Sequence, residues 1–530
     1  LGKRDQAVDQ LQSAVSDLRD AKLDRSTKEL QALHVEVYVR LASLNIALHE
    51  LENARGSLDD ASRWVDLLIA DAANESSVVV LPSYFIARAN LSRMVGQTDE
   101  AVDWLRRGLE QIQTSDSETK PSVIEAKAML SERLSEVVFG KQRISVLEDA
   151  VRLRRELLGL NPGHLTDQYL LGSAIRDLAF EAFRDQPDSA LSLFEEAESL
   201  LGELHVGNPK VNDYRKALAR TLDLHGYALH QIGGTSPDQL RETYFQKSLR
   251  CYRRSAELCG ASVENQASMD LSSVRQDDLT LVSMVCNGLA LVYRDQRVLE
   301  PMKIRYRDAL RIQRMLADAR PNESRPALDI CGTQLNLGRS LMALGDIEGG
   351  LISHQEAIQR VRELRQLFPN DDEILKWNLK MACSLHECLL NHATVGMFIE
   401  HQIDTHSLGE EVEKALGART REYHEAVLFR ALVQLAQSSL DEYRVVHETN
   451  TDIRFYDFDT ARFIGKIHQW LADKKSLPDD QLDQIITWAY DLMQRVAATE
   501  GWSYDELLKQ DGFPYIDQQY KARTGASAPD

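Results

Sequence analysis

Apolar side chains recur three or four residues apart along most of the chain, which is the period of an amphipathic helix. The segment from Leu335 to Pro369 shows this pattern most clearly. Its first half carries one apolar stripe, Gly345 and Asp346 mark a turn, and its second half carries another stripe. We therefore predict two antiparallel helices, called helix A and helix B in chain order. One such pair cannot bury both stripes alone, so it must stack on neighbouring pairs.

The helix pair recurs along the chain with a period of about 47 residues. The spacing of Gly2, Ala7, Leu11 and Ala14 returns at His49, Ala54, Leu58 and Ala61, and again at Gly96, Ala101, Leu105 and Gly108. Later copies end at Ala150, Ala197, Ser248, Ala309 and Ala357, and most have a bulky residue three positions earlier (Leu147, Phe194, Phe245, Tyr306). Prolines follow four of these small residues by 12 positions, at Pro162, Pro209, Pro321 and Pro369. Small residues let two helices approach closely, and proline ends the second helix.

This spacing resembles the tetratricopeptide repeat. The matching residues in one copy are Leu337, Gly338, Leu341, Gly345, Gly350, His354 and Ala357. The resemblance covers residues 1–395, with blurred motifs near 120–140, 255–280 and beyond 380. It implies an all-α superhelical solenoid of about eight antiparallel helix pairs. The proline comes twelve residues after the last small residue rather than the family's five, so helix B should be longer by about two turns, or ~10 Å.

Arrays with such long repeats resemble those that follow the kinase domain in large bacterial Ser/Thr kinases. Gly2 to Ala14 matches a helix B without its helix A, so we expect an upstream part. The resemblance implies that the chain is the C-terminal region of such a kinase. A stand-alone scaffold with no kinase attached is the open alternative.

The composition changes after Asn450, where 12 of the 35 aromatic residues lie. We expect degenerate final helices at 396–449, an aromatic-rich helical cap at 450–520 and a disordered tail at 521–530. Helices are predicted at 459–474, 478–499 and 503–510. The cap would seal the apolar end of the array, which every solenoid needs. The alternative is that the aromatic residues form a docking site of their own.

Charge and cysteine usage narrow the partners and the location. The chain has 62 Lys and Arg against 82 Asp and Glu, a formal charge of −20, and no long basic block. We therefore expect no nucleic-acid partner and no anionic membrane surface. The apolar run from Leu279 to Tyr293 is shorter than the ~20 residues that cross a bilayer, so we expect no membrane insertion. Six scattered cysteines favour a reducing, cytoplasmic location, with a tether through an upstream segment left open.

The sequence carries no nucleotide-binding loop, hydrolase elbow or kinase signature, so we predict no catalysis by these residues. One cluster has ligand-type residues: Cys383, His386, Cys388 and His392. At 100° per residue a helix places the last two on the side opposite Cys383, so we predict neither a metal nor a cofactor. A remote alternative is an enzyme whose site uses Asp457, Asp459, His468 or Trp470.

The candidate binding residues follow from the resemblance. In that family helix A lines the concave face, and its exposed positions fall one before, one after and four after the small residue. Carried to this chain, with latitude of one turn, they are Asn90, Arg93, Tyr227, His230, Asn287, Arg294 and Arg339. Arginine can hold a carboxylate with two hydrogen bonds, and asparagine can bond an extended peptide backbone. We therefore expect a non-catalytic scaffold that binds a protein, a peptide or a sensed ligand. The alternative is that these seven residues are ordinary solvent-exposed positions with no binding role.

Overall fold

The repeated apolar stripes form helices wherever the structure describes them. The computed structural model describes residues 2–20, 27–69, 75–113, 120–263, 267–368 and 513–524, with scattered residues between 374 and 508. In this part of the chain every long element is an α-helix, and one isolated β-bridge joins Ser262 to Asp270. The prediction of an all-α solenoid is confirmed. None of the described helices is both long and apolar enough to span a bilayer.

The helices alternate between A and B along the chain. In order they are α1 (Gly2–Asp20), α2 (Lys28–Ala47), α3 (Leu51–Ile69), α4 (Glu75–Met94), α5 (Thr98–Gln113), α6 (Pro121–Ser135), α7 (Gly140–Leu160), α8 (Leu165–Ala182), α9 (Pro187–Gly207), α10 (Asn212–Thr235), α11 (Asp238–Leu258), α12 (Leu279–Asp295), α13 (Leu299–Ala319), α14 (Ser324–Ala343), α15 (Ile347–Leu367) and α16 (Phe513–Thr524). From α2 to α15 the even-numbered helices are helix A and the odd-numbered ones helix B. The described residues thus contain seven A/B pairs, and α1 packs against α2 as a helix B would.

Most of the described B helices extend over about six turns. Five of them have 21 residues each: α7, α9, α11, α13 and α15. Three end two residues before a proline, α7 at Leu160, α9 at Gly207 and α13 at Ala319. Proline lacks an N–H group and pushes the residue before it out of the helical region, which ends the helix there.

Packing within each pair follows the small and bulky positions of the repeat. The small residues Ala150, Ala197, Ser248, Ala309 and Ala357 are each 0% exposed. Their bulky companions Leu147, Phe194, Phe245, Tyr306 and His354 are buried as well. At Gly338 a Cβ atom would lie 2.3 Å from His354 Nδ1, so any side chain there would collide with helix B.

The chain divides into two compact units, residues 1–214 (unit 1) and 215–530 (unit 2). Unit 1 contains α1 to α9. Its largest apolar cluster extends from Val15 to Val138. One buried ion pair joins its helices: Arg154, 1% exposed, donates from Nε and Nη2 to the two carboxylate oxygens of Glu132 at 2.7 and 2.8 Å. A bidentate geometry of this kind compensates the cost of burying the guanidinium.

Unit 2 is organised around a tyrosine of α11. The Tyr252 side chain, 1% exposed, lies between Gly226 of α10 and Gly288 of α12. A Cβ atom at Gly288 would lie 2.3 Å from Tyr252 Cζ, so glycine is required for this close approach. Ser248 and Ser255 of α11 donate to backbone carbonyls of α10 at 2.6 and 2.7 Å, which holds the two helices together.

A long connection at 259–278 interrupts the repeat between α11 and α12, whereas α13 and α14 are joined by residues 320–323. Charged groups buried on α13 hold this connection. Arg305, 0% exposed, donates to the carbonyl of Ala267 and pairs with Asp308 at 3.0 Å, while Asp308 accepts from the N–H of Met269 at 3.0 Å. This insertion accounts for the blurred motif near 255–280.

The last described helix, α16, continues to Thr524. Residues 521–524, assigned above to a disordered tail, are therefore helical, because Lys521 bonds to Asp517 at 2.8 Å and Arg523 pairs with Asp483. His468 is buried, and its Nδ1 lies 2.9 Å from the hydroxyl of Tyr515. The described residues exclude all of 396–449 and most of the cap, including Asp457, Asp459 and Trp470, and also the group from Cys383 to His392. Those interpretations therefore stay predictions.

Candidate functional site

Each A helix of unit 2 leaves a narrow stripe of side chains open to solvent. In α12 the stripe is Thr280, Met284, Asn287, Leu291 and Arg294, with Met284 40% exposed. The intervals of four, three, four and three residues keep these side chains on one side of the helix. Residues beside the stripe, such as Val285 and Leu289, are buried.

The neighbouring A helices repeat this arrangement. The stripe of α14 is Arg325, Asp329, Gly332, Asn336, Arg339 and Ala343, and that of α10 is Lys216, Arg220, Tyr227 and Gln231. In α10 the turn between Arg220 and Tyr227 carries Asp223, which is 6% exposed. We call the three stripes together the unit 2 A-face.

Side chains link the three helices into one continuous surface. Between α10 and α12, Arg220 Nη1 lies 3.4 Å from Met284 Sδ. Between α12 and α14, Asn287 Nδ2 donates to Thr333 Oγ1 at 2.9 Å. These contacts place polar and apolar groups of neighbouring helices side by side, as a binding surface requires.

A polar cluster lies where α10 and α12 approach their C-terminal ends. His230 Nε2–H donates to Asp295 Oδ2 at 2.7 Å, and His230 Nδ1 accepts from Gln231 at 3.2 Å. Arg294 binds the same carboxylate with two hydrogen bonds of 2.6 and 3.0 Å. Burial alone would raise the pKa of Asp295, but the hydrogen bonds from His230 and Arg294 outweigh it and lower the pKa to about 2. Asp295 therefore stays ionised at neutral pH and fixes both partners.

Tyr306 lies close to this cluster and connects it with α14. Its hydroxyl is 3.0 Å from Ser340 Oγ. Burial raises the pKa of Tyr306 to about 12, against the lowering effects of the Ser340 hydrogen bond and of the Arg294 and Arg339 charges. Burial lowers the pKa of His354, which packs against Gly338 of α14, to about 4, so that imidazole is neutral at pH 7.

Asp223, buried beside the unit 2 A-face, forms a second ion pair with Arg220, whose Nη1 lies 2.7 Å from Asp223 Oδ2. Burial raises the pKa of Asp223 to about 6, and the nearby Arg220 only partly opposes this. Asp223 is therefore mostly ionised at pH 7 and mostly protonated at pH 5. Protonation of Asp223 over that interval therefore leaves the charge of Arg220 unbalanced beside the unit 2 A-face.

The structure brings four of the seven sequence-predicted residues onto the unit 2 A-face: Tyr227, Asn287, Arg294 and Arg339. His230 differs from the expected exposure, because it is 2% exposed and enclosed by Asp295 and the ring of Phe245. The remaining two, Asn90 and Arg93, lie on the corresponding stripe of α4 in unit 1. Arg93 is exposed there, with its Nη1 3.6 Å from Glu136 Oε2.

The family's rule for exposed positions, counted from the small residue of helix A, holds only in part. The position one after the small residue lies on the stripe in all four helices, at Asn90, Tyr227, Leu291 and Arg339. The position four after it lies on the stripe in α4 and α12, at Arg93 and Arg294. In α10 and α14 the stripe resumes five residues after the small residue, at Gln231 and Ala343. Three stripe residues were missed: Arg220, Met284 and Leu291. Their spacing is visible in the sequence, because Met284 and Leu291 lie three and four residues from Asn287, and Arg220 lies seven residues, or two turns, before Tyr227.

The composition of the unit 2 A-face differs from that of the chain as a whole. Its 15 residues include four arginines, one lysine, one aspartate and no glutamate, in a chain with a formal charge of −20. Protein interfaces are enriched in arginine, tyrosine and methionine and depleted in lysine, glutamate and aspartate. This composition suits binding to a protein surface.

The chain is similar to three solved structures at low sequence identity and low TM-score. BtubC from P. vanneervenii is 18% identical, with a TM-score of 0.34 over 52% of this chain and 93% of that one. The human IFIT1 dimer with m7Gppp-AAAA is 12% identical, with a TM-score of 0.30 over 92% and 95% of the two chains. A circular tandem repeat protein is 14% identical, with a TM-score of 0.25 over 94% and 100%. No protein-family model and no curated protein matches the sequence.

Proposed function

We propose that this protein is a non-catalytic scaffold that binds a segment of another protein on the unit 2 A-face. The observation that carries the proposal is the continuous row of stripes on α10, α12 and α14, rich in arginine and poor in lysine and glutamate. Buried arginine, tyrosine and methionine contacts supply most of the affinity in protein interfaces. Tyr227, Met284 and Leu291 would provide apolar contact, and Arg294 and Arg339 would provide hydrogen bonds.

The fixed polar groups make such a surface ready for binding. Asp295 holds Arg294 with two hydrogen bonds, so this guanidinium needs little further ordering when a partner arrives. Side chains already held in one geometry lose less conformational entropy on binding. Arg339 at the end of α14 is exposed and would meet the same partner.

We further propose that the chain is attached to a kinase domain and that it lies in the cytoplasm. Their support is the resemblance to the long arrays of bacterial Ser/Thr kinases and the scattered cysteines. The reading frame upstream of residue 1 tests the attachment. A continuation into a kinase domain would support it, and an upstream frame that encodes none would contradict it.

The binding role is tested by affinity capture from the source cells, with the whole chain as bait. We expect the double variant Met284→Ala/Arg339→Ala to lose a bound protein at least tenfold, because truncating a central interface residue often costs about 2 kcal/mol. Quantitative mass spectrometry of the captured proteins measures the loss. Nuclease treatment of the lysate should leave the captured amount unchanged.

The matched control is Arg314→Ala/Met315→Ala, which removes the same residue types from exposed positions of α13, a B helix of the same unit. It should retain the partner at the wild-type level. If the two double variants lose the same proteins equally, the A-face is not the binding surface. A partner lost on nuclease treatment would instead identify a nucleic-acid ligand.

A further inference from the structure

The A helices of unit 1 also expose stripes with a spacing of three and four residues, but their chemistry differs. The stripes are Glu29, Leu33, Glu36, Arg40 and Ser43 on α2; Val79, Ser83, Ile86, Asn90 and Arg93 on α4; and Ser122, Glu125, Met129, Glu132 and Glu136 on α6 and its C-terminal cap. We call them the unit 1 A-face. Helix α4 packs directly against both α2 and α6, so the three stripes adjoin.

Apolar side chains occupy the middle of the unit 1 A-face. Val79 is 63% exposed and Leu33 is 42% exposed, while Ile86 and Met129 are half-buried. Single exposed apolar residues are common on protein surfaces. Here an exposed or half-buried apolar residue lies on each of three adjoining helices, which makes an apolar strip that crosses the A helices.

The apolar strip is bordered by more carboxylates than cations. The face has five glutamates and two arginines. Arg40 pairs with Glu36 at 2.6 Å, Arg93 lies 3.6 Å from Glu136, and Glu132 is held by the buried Arg154. The two further carboxylates, Glu29 and Glu125, stand one helical turn before Leu33 and Met129 respectively. Negative charge thus lies beside the apolar residues on both outer helices.

We propose that the unit 1 A-face binds an amphipathic helix of a partner protein whose apolar stripe is flanked by lysine or arginine. An amphipathic helix presents apolar residues at positions i, i+3, i+4 and i+7, which suits a strip of about this breadth. Its apolar side packs on Leu33, Val79 and Ile86, and its flanking cations meet Glu29 and Glu125. Complementary charge favours this helix over an acidic one. This partner differs in chemistry from the one expected at the unit 2 A-face.

The test is selection of a phage library of random 20-residue peptides against the whole chain. Clones are then measured, as synthetic peptides, against three variants. Leu33→Asp/Val79→Asp places two charges on the apolar strip, and Val206→Asp/Leu160→Asp places the same charges at exposed B-helix ends of the same unit, where the side chains are 80% and 56% exposed. Arg339→Ala reports on the unit 2 A-face. All four substituted apolar side chains are substantially exposed, and circular dichroism checks that each variant keeps its helix content.

We expect selected peptides with apolar residues at helical spacing and a net positive charge. Their affinity should fall at least tenfold with Leu33→Asp/Val79→Asp and stay within twofold for the other two variants. Raising the salt concentration from 50 to 500 mM should weaken binding severalfold, because screening reduces the attraction to Glu29 and Glu125. Peptides that are acidic, that lack helical spacing, or that bind Leu33→Asp/Val79→Asp as tightly as wild type would overturn the proposal, as would a library without enriched clones. Loss confined to Arg339→Ala would support the unit 2 A-face while overturning this inference.

Discussion

Replacing Asp308 by alanine is expected to destabilise unit 2 by about 3–5 kcal/mol, because it leaves a charged arginine buried without its carboxylate. Arg305 is 0% exposed and Asp308 is 2% exposed, and their ion pair is 3.0 Å long. The same change removes the acceptor for the N–H of Met269, which lies in the 259–278 connection. Urea unfolding followed by circular dichroism measures the loss, and hydrogen exchange should show faster exchange at Met269.

Asp329→Ala is the matched control for this prediction. Asp329 also pairs with an arginine, Arg325, at 3.2 Å, but both side chains are partly exposed on α14. Removing one partner of an accessible pair changes stability by up to about 1 kcal/mol. Similar small losses for Asp308→Ala and Asp329→Ala would mean that the buried pair does not hold the connection to α13.

Gly288→Ala should destabilise unit 2 by about 1–3 kcal/mol, since the added methyl group has no space. Its Cβ would lie 2.3 Å from Tyr252 Cζ and 2.6 Å from the hydroxyl oxygen. That ring is 1% exposed and enclosed, so it cannot move aside without disturbing α10 or α12. Thermal and urea unfolding of the whole chain measure the loss.

A double-mutant cycle identifies the cause of that loss. In a Tyr252→Leu background the ring is absent, so adding the methyl group at Gly288 should cost much less than in the wild type. Gly234→Ala is the control, because nothing lies within 4 Å of its Cβ position and alanine favours the helix. An equal cost for Gly288→Ala in both backgrounds would show that contact with Tyr252 is not the reason glycine is needed.

The repeat frame could be predicted because packing constraints recur at fixed positions. Small residues such as Ala197 and Ala309 and bulky ones such as Phe194 and Tyr306 must alternate where two helices touch, so their spacing is visible in the sequence. Prolines then mark the ends of the B helices. The same reasoning located four residues of the unit 2 A-face, because a position next to a buried small residue lies at the edge of the buried side.

The remaining features depend on contacts between residues far apart in the chain. His230 is enclosed because Asp295, 65 positions away, accepts its hydrogen bond. The 259–278 connection is held by Arg305 and Asp308, whose partners are backbone groups that leave no pattern in the sequence. The raised pKa of Asp223 follows from burial in the folded unit, which residue type alone does not reveal. Most of α16 lies in the segment predicted to be a helical cap, but its bounds were not predicted, although Phe513, Ile516 and Tyr520 follow a helical spacing.

Site-specific photocrosslinking in the source cells tests whether the unit 2 A-face binds a partner protein. The photoreactive residue p-benzoylphenylalanine replaces Met284 on α12 or, as the control, Met315 on α13, which are 40% and 48% exposed. We expect a discrete crosslinked partner protein from position 284 and none from position 315. Equal crosslinking from both positions, crosslinking from position 315 alone, or no protein adduct from position 284 would contradict it.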